Sequence, residues 1–221
     1  GFDRVMVYQF LADGAGEVVA ESTSSDMPPF LGLRYPASDI PRQARQLYKK
    51  NLIRTISDVY GVTHEILGRD ENKARHIDLS LSRLRAVSEV HIQYLKNMGV
   101  GASMSISLIV EGELWGLIAC HHNSPKVVPS RLVSQLELFA EMFSLELSRR
   151  LVTERIRVSE QANSTFARVL SNFSHGGPIT NAIVEQLALL KTLIDIDGVG
   201  CIFSGEYTRA GSALDEESIL R

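Results

Sequence analysis

The hydrophobic and polar positions at the start of the chain alternate as they do in β-strands. Residues 2–10 (FDRVMVYQF) alternate and are rich in valine and aromatic residues, which predicts a first strand. Residues 13–16 (DGAG) are typical of a turn, and residues 17–22 (EVVAES) resume the strand pattern. The chain therefore opens with a predicted β-hairpin.

Helical periodicity follows over residues 42–56, where apolar side chains recur on one face. Pro41 suits the first position of this helix, because its missing N–H would have no partner there. Ser38 or Asp39 is the predicted N-cap. Residues 58–75 are polar and irregular, which indicates a long loop.

A second helix is predicted over residues 79–97, and Gly99 ends it in the position that glycine favours after helices. Its buried stripe has members three or four residues apart, namely Leu81, Leu84, Ser88, His91, Leu95 and Met98.

Residues 102–110 (ASMSISLIV) and 114–122 (LWGLIACHH) are predicted strands, joined by a three-residue turn at 110–112 that ends in glycine. This pairing places the odd-numbered residues of both strands on one face of the sheet. That face would carry Ser103, Ser105, Ser107, Ala119 and His121.

Residues 130–173 are helical in pattern and contain no proline or glycine. At ~1.5 Å per residue this helix would be ~60 Å long, so it is expected to pair with another helix or to connect two domains. Gly176, Gly177 and Pro178 stop it; residues 179–194 predict another helix and residues 198–207 a strand pair of a new domain. The helix at 130–173 carries an apolar stripe, which predicts either a parallel dimer or packing against the sheet of the same chain. The stripe comprises Leu132, Leu136, Phe139, Phe143, Leu147 and Leu151.

Composition narrows the possible classes of function. The net charge of −3 is spread along the 221 residues, which argues against a nucleic-acid interface. No run of ~18 apolar residues is present, so no membrane span is expected. Cys120 and Cys201 are the only cysteines, which fits a reducing, cytoplasmic setting. The chain begins directly in strand-like sequence, so we expect it to be cut from a longer protein.

Two short motifs suggest chemistry that their context disfavours. Cys120 and His121 are neighbours on a strand and point to opposite faces, and no second cluster lies at zinc spacing. We therefore expect a core cysteine and no metal site. His175 is followed by two glycines, which would break the helix that a phospho-accepting histidine needs.

A larger polar set lies on elements predicted to be buried. Arginine forks bind carboxylates, while hydroxyls and imidazoles meet the polar edges of a ligand, so this set suits a large, flat, partly apolar ligand with carboxylates. Scattered surface polarity is the alternative. The set comprises Tyr8, Tyr48, Arg54, Arg85, Ser88, His91 and His121.

Four ordered motifs resemble the phytochrome family. They are GFDRVM at 1–6, RYPASDIP at 34–41, VH at 90–91 with YLKNMGV at 94–100, and WGLIACHH at 115–122. The resemblance to bilin-binding GAF domains, and to bacteriophytochromes in particular, covers nearly all of residues 1–125. It implies an α+β fold in which a central antiparallel sheet is flanked by helices. The implied domains are a bilin-binding GAF domain at 1–128, a connecting and dimerisation helix at 129–175, and the start of a PHY domain at 176–221.

The resemblance also implies roles for individual residues around a linear tetrapyrrole. Asp39, with Ile40 and Pro41 beside it, would lie at the pyrrole nitrogens, and His91 would share a water with them. His121 would lie near the D-ring carbonyl. The aromatic residues around that ring would be Tyr8, Tyr35 and Tyr94.

The propionate end of the tetrapyrrole would meet the two arginines. Arg54 and Arg85 would bind the propionates. Their implied neighbours are Tyr48, Ser88, Ser103 and Ser105.

The implied cofactor is biliverdin. Val90 stands where plant and many cyanobacterial phytochromes carry the attachment cysteine, so the bond is expected to a cysteine upstream of this chain and not to Cys120.

The implied function is red and far-red light sensing, with the signal passed through the long helix. The chain itself would not be an enzyme: a histidine kinase acting on a response regulator would lie C-terminal to residue 221. The alternative is a GAF domain that senses a cyclic nucleotide or another small molecule. A purely structural dimerisation module or a bilin reductase explains the sequence less well.

Overall fold

The computed structural model describes residues 1–24, 27–66, 77–174, 196–203, 205–212, 215 and 218. Two compact units divide the chain, Gly1–Arg149 and Arg150–Arg221. The elements are β1 Arg4–Phe10, β2 Gly16–Thr23, β3 Arg34–Tyr35, α1 Arg42–Lys50, β4 Ile53–Ile56, α2 Glu89–Asn97, β5 Ala102–Val110, β6 Glu113–His122, α3 Ser130–Ser174, β7 Gly198–Phe203 and β8 Glu206–Gly211.

The first unit is built on a six-stranded sheet of order β3-β2-β1-β6-β5-β4, in which every neighbouring pair is antiparallel. The predicted hairpins β1–β2 and β5–β6 are both present, and β1 pairs with β6 to place them side by side. The predicted α+β class with a central antiparallel sheet is thus confirmed.

Side-chain alternation gives this sheet two different faces. Ser103 pairs with His121 and Ser105 with Ala119, which confirms the predicted register of the odd-numbered face. The opposite face holds an apolar cluster in which β-strand residues meet the first turns of α3. That cluster comprises Ile53, Met104, Ile106, Leu108, Ile118, Cys120, Val133 and Ala140.

The turn between β5 and β6 is shorter than predicted. Val110 pairs with Glu113, so the loop has two residues, Glu111 and Gly112, with φ of 52° and 78°. Positive φ at both positions is the mark of a type I′ turn, whose twist matches that of the strands. The pairing shifts at Leu108/Ile109, and this irregularity restores the alternation on the odd-numbered face.

The first helix ends six residues earlier than predicted. α1 stops at Lys50, and Ile53–Ile56 form β4 at the sheet edge, with Ile53 opposite Ile106. Ile53, Thr55 and Ile56 are β-branched and favour the strand, a preference that the helical periodicity concealed. The predicted caps Ser38 and Asp39 are also wrong, because Pro41 itself is the N-cap.

The second helix is also shorter than predicted and spans only Glu89–Asn97. Leu81 and Leu84 are 73% and 95% exposed, so they do not belong to a buried stripe. The Asp78 carboxylate accepts the Ser80 N–H at 2.8 Å, a local bond that competes with helix formation. Leu95 is buried as predicted, and Gly99 follows the helix with φ of 70°.

The long helix α3 is confirmed over Ser130–Ser174. Its predicted stripe is divided: Leu136 and Leu147 pack against the apolar cluster of the sheet, whereas Phe139 remains 44% exposed. A separate row on this helix is more exposed, namely Leu138, Met142 and Leu145.

In the second unit, β7 and β8 form the predicted strand pair as an antiparallel hairpin. The calls on residues 67–75, His175, Gly176, Gly177, Pro178 and 179–194 lie outside the described residues. Within the part of the chain that the structure describes, no helix meets the length and hydropathy needed to cross a membrane.

Candidate functional site

The odd-numbered face of the sheet collects polar side chains from four strands. β4 places Arg54 opposite Ser105, and β6 places His121 between Ser103 of β5 and Arg4 of β1. The predicted residues Arg54, Ser103, Ser105 and His121 therefore share one surface. Tyr8 joins them from β1, where it pairs with Leu117.

His121 is almost completely buried on this face, with 3% of its surface exposed. Burial, together with the charge of Arg4 and the nearby His91, lowers its pKa to about 4. Its Nδ1 has no hydrogen-bond partner among the described residues. At neutral pH His121 is therefore an uncharged imidazole with an unused polar atom.

His91 lies on α2 and joins the same surface. Burial lowers its pKa, and the charge of Arg54 adds to the effect. Its ring stacks on that of Tyr94, with centroids 6.3 Å apart and an angle of 16° between the planes. His91 is thus held in a fixed orientation and is mostly neutral at pH 7.

Three tyrosines and Asp39 form the aromatic end of the site. Tyr8 and Tyr35 have ring centroids 6.0 Å apart. Burial raises the pKa of Tyr8, Tyr35 and Tyr94, and the Asp39 carboxylate raises all three further. All three tyrosines are thus close enough to Asp39 for its charge to act on them, and the phenols remain protonated donors near neutral pH.

Gly16 makes room for one of these rings. A Cβ at Gly16 would lie 1.8 Å from Cζ of Tyr8, so only glycine leaves space for the phenol. Tyr8 also packs edge-on against Phe10, with centroids 5.3 Å apart.

The opposite end of the site carries two arginines. The Arg54 guanidinium lies 5.2 Å from the Tyr48 ring centroid. Burial lowers the pKa of Arg54, and the charge of Arg85 lowers it as well. Nη2 of Arg85 is buried without a hydrogen-bond partner in the described part of the chain. Two neighbouring cations with an unmatched donor favour a ligand that carries carboxylates.

The serines of this face divide into two groups. Ser107 is fully buried, and its hydroxyl donates to the Tyr48 carbonyl at 2.8 Å, so it serves the fold. Ser103 and Ser105 are half-buried beside Arg54 and His121. Ser88 is the exposed N-cap of α2 and makes no capping bond through its side chain. The last three hydroxyls are therefore free to meet a ligand.

The segment containing Asp39, Ile40 and Pro41 is fixed by a residue that sequence reasoning missed. Arg45 donates from Nε to the Ile40 carbonyl at 2.7 Å. Ile40 also packs with the aromatic cluster beneath Tyr8. The only signal in the sequence is that Arg45 lies one helical turn after Pro41.

A buried ion pair beside His121 was also missed. Nε of Arg4 lies 3.1 Å from the Glu21 carboxylate, and the two side chains are 0% and 3% exposed. Glu21 accepts the N–H groups of Phe30 and Leu31 at 2.8 and 2.9 Å, and the Arg4 guanidinium lies 3.7 Å from the Phe30 ring centroid. The signal in the sequence was that Arg4, Met6 and Tyr8 are alternate residues of one strand and therefore lie on the same face of the sheet.

Cys120 and His122 face away from the site. Cys120 belongs to the apolar cluster under α3, and burial raises the pKa of its thiol to about 11, as predicted for a core cysteine. His122 contacts the Asp3 carboxylate at 2.6 Å. No group of three or more metal-binding side chains is found among the residues that the structure describes.

The described donors fit the tetrapyrrole that the sequence motifs imply. Nη2 of Arg85 and Nδ1 of His121 are both buried without a hydrogen-bond partner among the described residues. Tyr8 and Tyr94 are close enough to Asp39 for its charge to act on them, and His91 is similarly close to Arg54 and His121. A flat ligand with carboxylates at one edge and polar groups at the other matches this distribution.

Comparisons with known proteins show the family to which the chain belongs. The family model described as GAF domain matches residues 1–151. The chain is 47% identical over 174 residues to a bacteriophytochrome of Pseudomonas aeruginosa, covering 76% of this chain and 24% of that protein. It is 40% identical over 212 residues to cyanobacterial phytochrome B of Nostoc (96% and 28%) and 36% identical over 223 residues to phytochrome E of Arabidopsis thaliana (99% and 20%). The chain thus spans less than a third of the length of these relatives.

Proposed function

The chain belongs to the GAF domain family, in a form similar to phytochromes, and we propose that it is a red and far-red light-sensing module that holds biliverdin on the polar face of its sheet. The observation that carries this proposal is a shared face of the sheet that presents Tyr8, Arg54, Ser103, Ser105 and His121, where Nδ1 of His121 is buried without a hydrogen-bond partner among the described residues. When bound, the tetrapyrrole supplies visible absorption and a double bond that isomerises.

The arginine end would hold the carboxylates of the ligand. Arg54 and Arg85 lie side by side, and each lacks an acidic partner within the described residues. Forked guanidinium groups bind carboxylates through two parallel hydrogen bonds. The hydroxyls of Ser88, Ser103 and Ser105 would complete the shell around the propionates.

The opposite end would hold the polar edge of the tetrapyrrole. Asp39 and His91 would accept hydrogen bonds from the pyrrole nitrogens, since buried N–H donors need acceptors. His121, kept neutral by burial, would meet the D-ring carbonyl through one of its ring nitrogens. The aromatic wall of this end would be formed by Tyr8, Tyr35 and Tyr94.

We expect the bilin to bind to this chain without a covalent bond. Val90 replaces the attachment cysteine and is 80% exposed, and Cys120 lies under α3 on the other face. In the full protein the attachment cysteine would lie upstream of this chain. Denaturing electrophoresis with zinc fluorescence should show no pigment on the chain, and a fluorescent band would contradict the expectation.

Expression together with biliverdin synthesis tests the function directly. A bound bilin should give a visible band that shifts reversibly under red and far-red light. The double variant Arg54→Gln, Arg85→Gln should weaken uptake strongly, while Arg42→Gln, an exposed cation on α1, serves as the matched control. A colourless protein that binds a cyclic nucleotide in calorimetry would favour the alternative function.

The signal would leave the site through α3. We propose a parallel homodimer through this helix, because the row Leu138, Met142 and Leu145 is 59–73% exposed and repeats at steps of four and three. The domains would then be the GAF domain at 1–128, the connecting helix at 129–175 and the start of a PHY domain at 176–221. A histidine kinase and its response regulator would follow outside this chain, in the cytoplasm.

Light scattering on the full-length protein at tens of micromolar tests the dimer. The wild type should have twice the mass of one chain. Replacing Leu138 and Leu145 by glutamate should give the mass of one chain without loss of the visible band. A wild-type protein with the mass of one chain would contradict the proposal.

A further inference from the structure

We propose that Arg45 is a positioning residue of the site, which fixes the Asp39 segment against the turn between β1 and β2; this inference rests on the proposed function. Arg45 lies on the first turn of α1 and is half-buried. It contacts three separate parts of the pocket wall. Substitution of Arg45 should therefore change the site indirectly, through the parts of the wall that this side chain holds in place.

The first contact is with the backbone that follows Asp39. Nε of Arg45 donates to the Ile40 carbonyl at 2.7 Å, and the Arg45 N–H donates to the Pro41 carbonyl at 3.1 Å. Both carbonyls are thereby directed towards α1. Within the described residues the oxygens of Asp39 receive no hydrogen bond, so the same arrangement leaves them open to a ligand.

The second contact joins this segment to the β1–β2 turn. Nη2 of Arg45 donates to the carbonyl of Gly14, 31 residues away in sequence. The turn itself is closed by backbone bonds between Leu11 and Ala15 and between Gly14 and Leu11. One guanidinium thus fixes the distance between a rigid turn and the Asp39 segment.

The third contact reaches the aromatic wall. The Arg45 guanidinium lies 4.3 Å from the Phe10 ring centroid, and Phe10 in turn packs edge-on against Tyr8. The charges agree with this placement: Asp39 raises the pKa of Tyr8 and Arg45 lowers it. Arg45 therefore controls the positions of Asp39 and Tyr8 together.

The geometry requires arginine in particular. Two different nitrogens donate to two carbonyls while the flat group lies over an aromatic ring, and a lysine ammonium cannot do all three. Arg45→Lys retains the charge and removes the fork, so it separates geometry from electrostatics. Arg45→Gln removes the charge as well. Arg42→Gln is the matched control on the same turn of α1.

Hydrogen exchange on the bilin-free protein is the first test. In Arg45→Lys and Arg45→Gln we expect the amide of Asp39, which donates to the Pro36 carbonyl, to exchange about tenfold faster, because the bonds from Arg45 no longer hold this segment closed. The strands β5 and β6 should keep their protection. Unchanged exchange at residues 37–40, or faster exchange spread evenly over the sheet, would overturn the proposal.

Absorption spectroscopy with biliverdin is the second test. Both Arg45 variants should still take up the pigment but give a broader band and a lower photoproduct yield than the Arg42→Gln control. A wild-type spectrum in Arg45→Lys would show that charge alone suffices and would overturn the positioning role. If the wild type takes up no pigment, the proposed function fails, and the exchange measurement still decides on Arg45.

Discussion

The two faces of the central sheet are built from the same strands and yet differ in chemistry. On β5, Ile106 and Leu108 enter the apolar cluster under α3, while their neighbours Ser105 and Ser107 point to the polar site. On β6, Cys120 and His121 divide in the same way. Adjacent residues therefore serve two purposes, stability on one face and, in the proposed function, ligand recognition on the other.

The comparison also has an energetic side. The apolar face gains from burial, at about 25 cal/mol per Å². The polar face leaves Nδ1 of His121 and Nη2 of Arg85 buried without a partner among the described residues, at a cost of ~1–3 kcal/mol for each group. A ligand that matches those nitrogens removes this cost, so substitutions on the two faces should affect different measurements.

The largest effect on stability should come from the apolar face. Leu108→Ala truncates a side chain with 0% exposure, and we expect the free energy of unfolding to fall by ~2–5 kcal/mol because a cavity replaces packed methyl groups. Chemical denaturation of the bilin-free protein measures this loss. Ser105→Ala, three residues earlier on β5 and on the other face, should cost less than ~1 kcal/mol; equal losses would contradict the division between the faces.

The next effect is a loss of folding stability at acid pH. The pKa of His121 falls from 6.5 in the unfolded chain to about 4 in the folded one, so the unfolded state binds more protons between these values. Stability is therefore complete above pH 6.5 and falls as the pH drops towards 4, by about 3 kcal/mol at most from this group. His91 acts in the same direction.

Denaturation of wild type and His121→Gln from pH 4 to pH 7.5 tests this expectation. The variant should lose less stability in acid than the wild type. His64→Gln, a substitution of an exposed histidine, should follow the wild-type curve. A His121→Gln curve parallel to wild type would show that His121 does not resist protonation.

A smaller effect is expected where the polar face serves the fold. Ser107→Ala removes the hydrogen bond to the Tyr48 carbonyl and leaves that buried oxygen unmatched, which should cost ~1–2 kcal/mol. Thermal melting of the bilin-free protein measures it. Because Tyr48 lies under Arg54, pigment uptake should weaken slightly; a loss as large as that of Leu108→Ala would contradict the assignment.

The smallest effect on stability should accompany the largest effect on light response. Asp39 caps no helix, and His91 is only partly buried, so Asp39→Ala and His91→Ala should each change the free energy of unfolding by less than ~1 kcal/mol. Both should bind bilin, form the far-red product incompletely and release the chromophore proton at a lower pH. Flash photolysis and a pH titration of the visible band measure these effects, and wild-type behaviour in both variants would defeat the prediction.

Much of the fold follows from periodicity alone. The strands β1, β2, β5 and β6, their alternation and the long helix were all predictable, because each pattern runs over many residues. The errors arose where short patterns overlap. Residues 53–56 continue the helical spacing of α1 but pair with β5. Residues 79–88 also have helical spacing, but the hydrogen bond between the Asp78 carboxylate and the Ser80 N–H competes with a helix there.

The site was predictable only in part. The odd-numbered face came from strand alternation, whereas Asp39 and Tyr35 came from the family resemblance. The Arg4–Glu21 pair and the Arg45–Gly14 bond were missed because these contacts span 17 and 31 residues and follow no period. Such contacts depend on which strands lie side by side, and that arrangement requires the structure.

Gly16 has a consequence for how such a site evolves. Its missing Cβ leaves the space that the Tyr8 ring occupies. A single methyl group there would push the phenol out of its position, so in the proposed light sensor the colour of the pigment would be open to mutation at the first residue of β2. Selection for a new colour could then act through the packing of Gly16 against Tyr8.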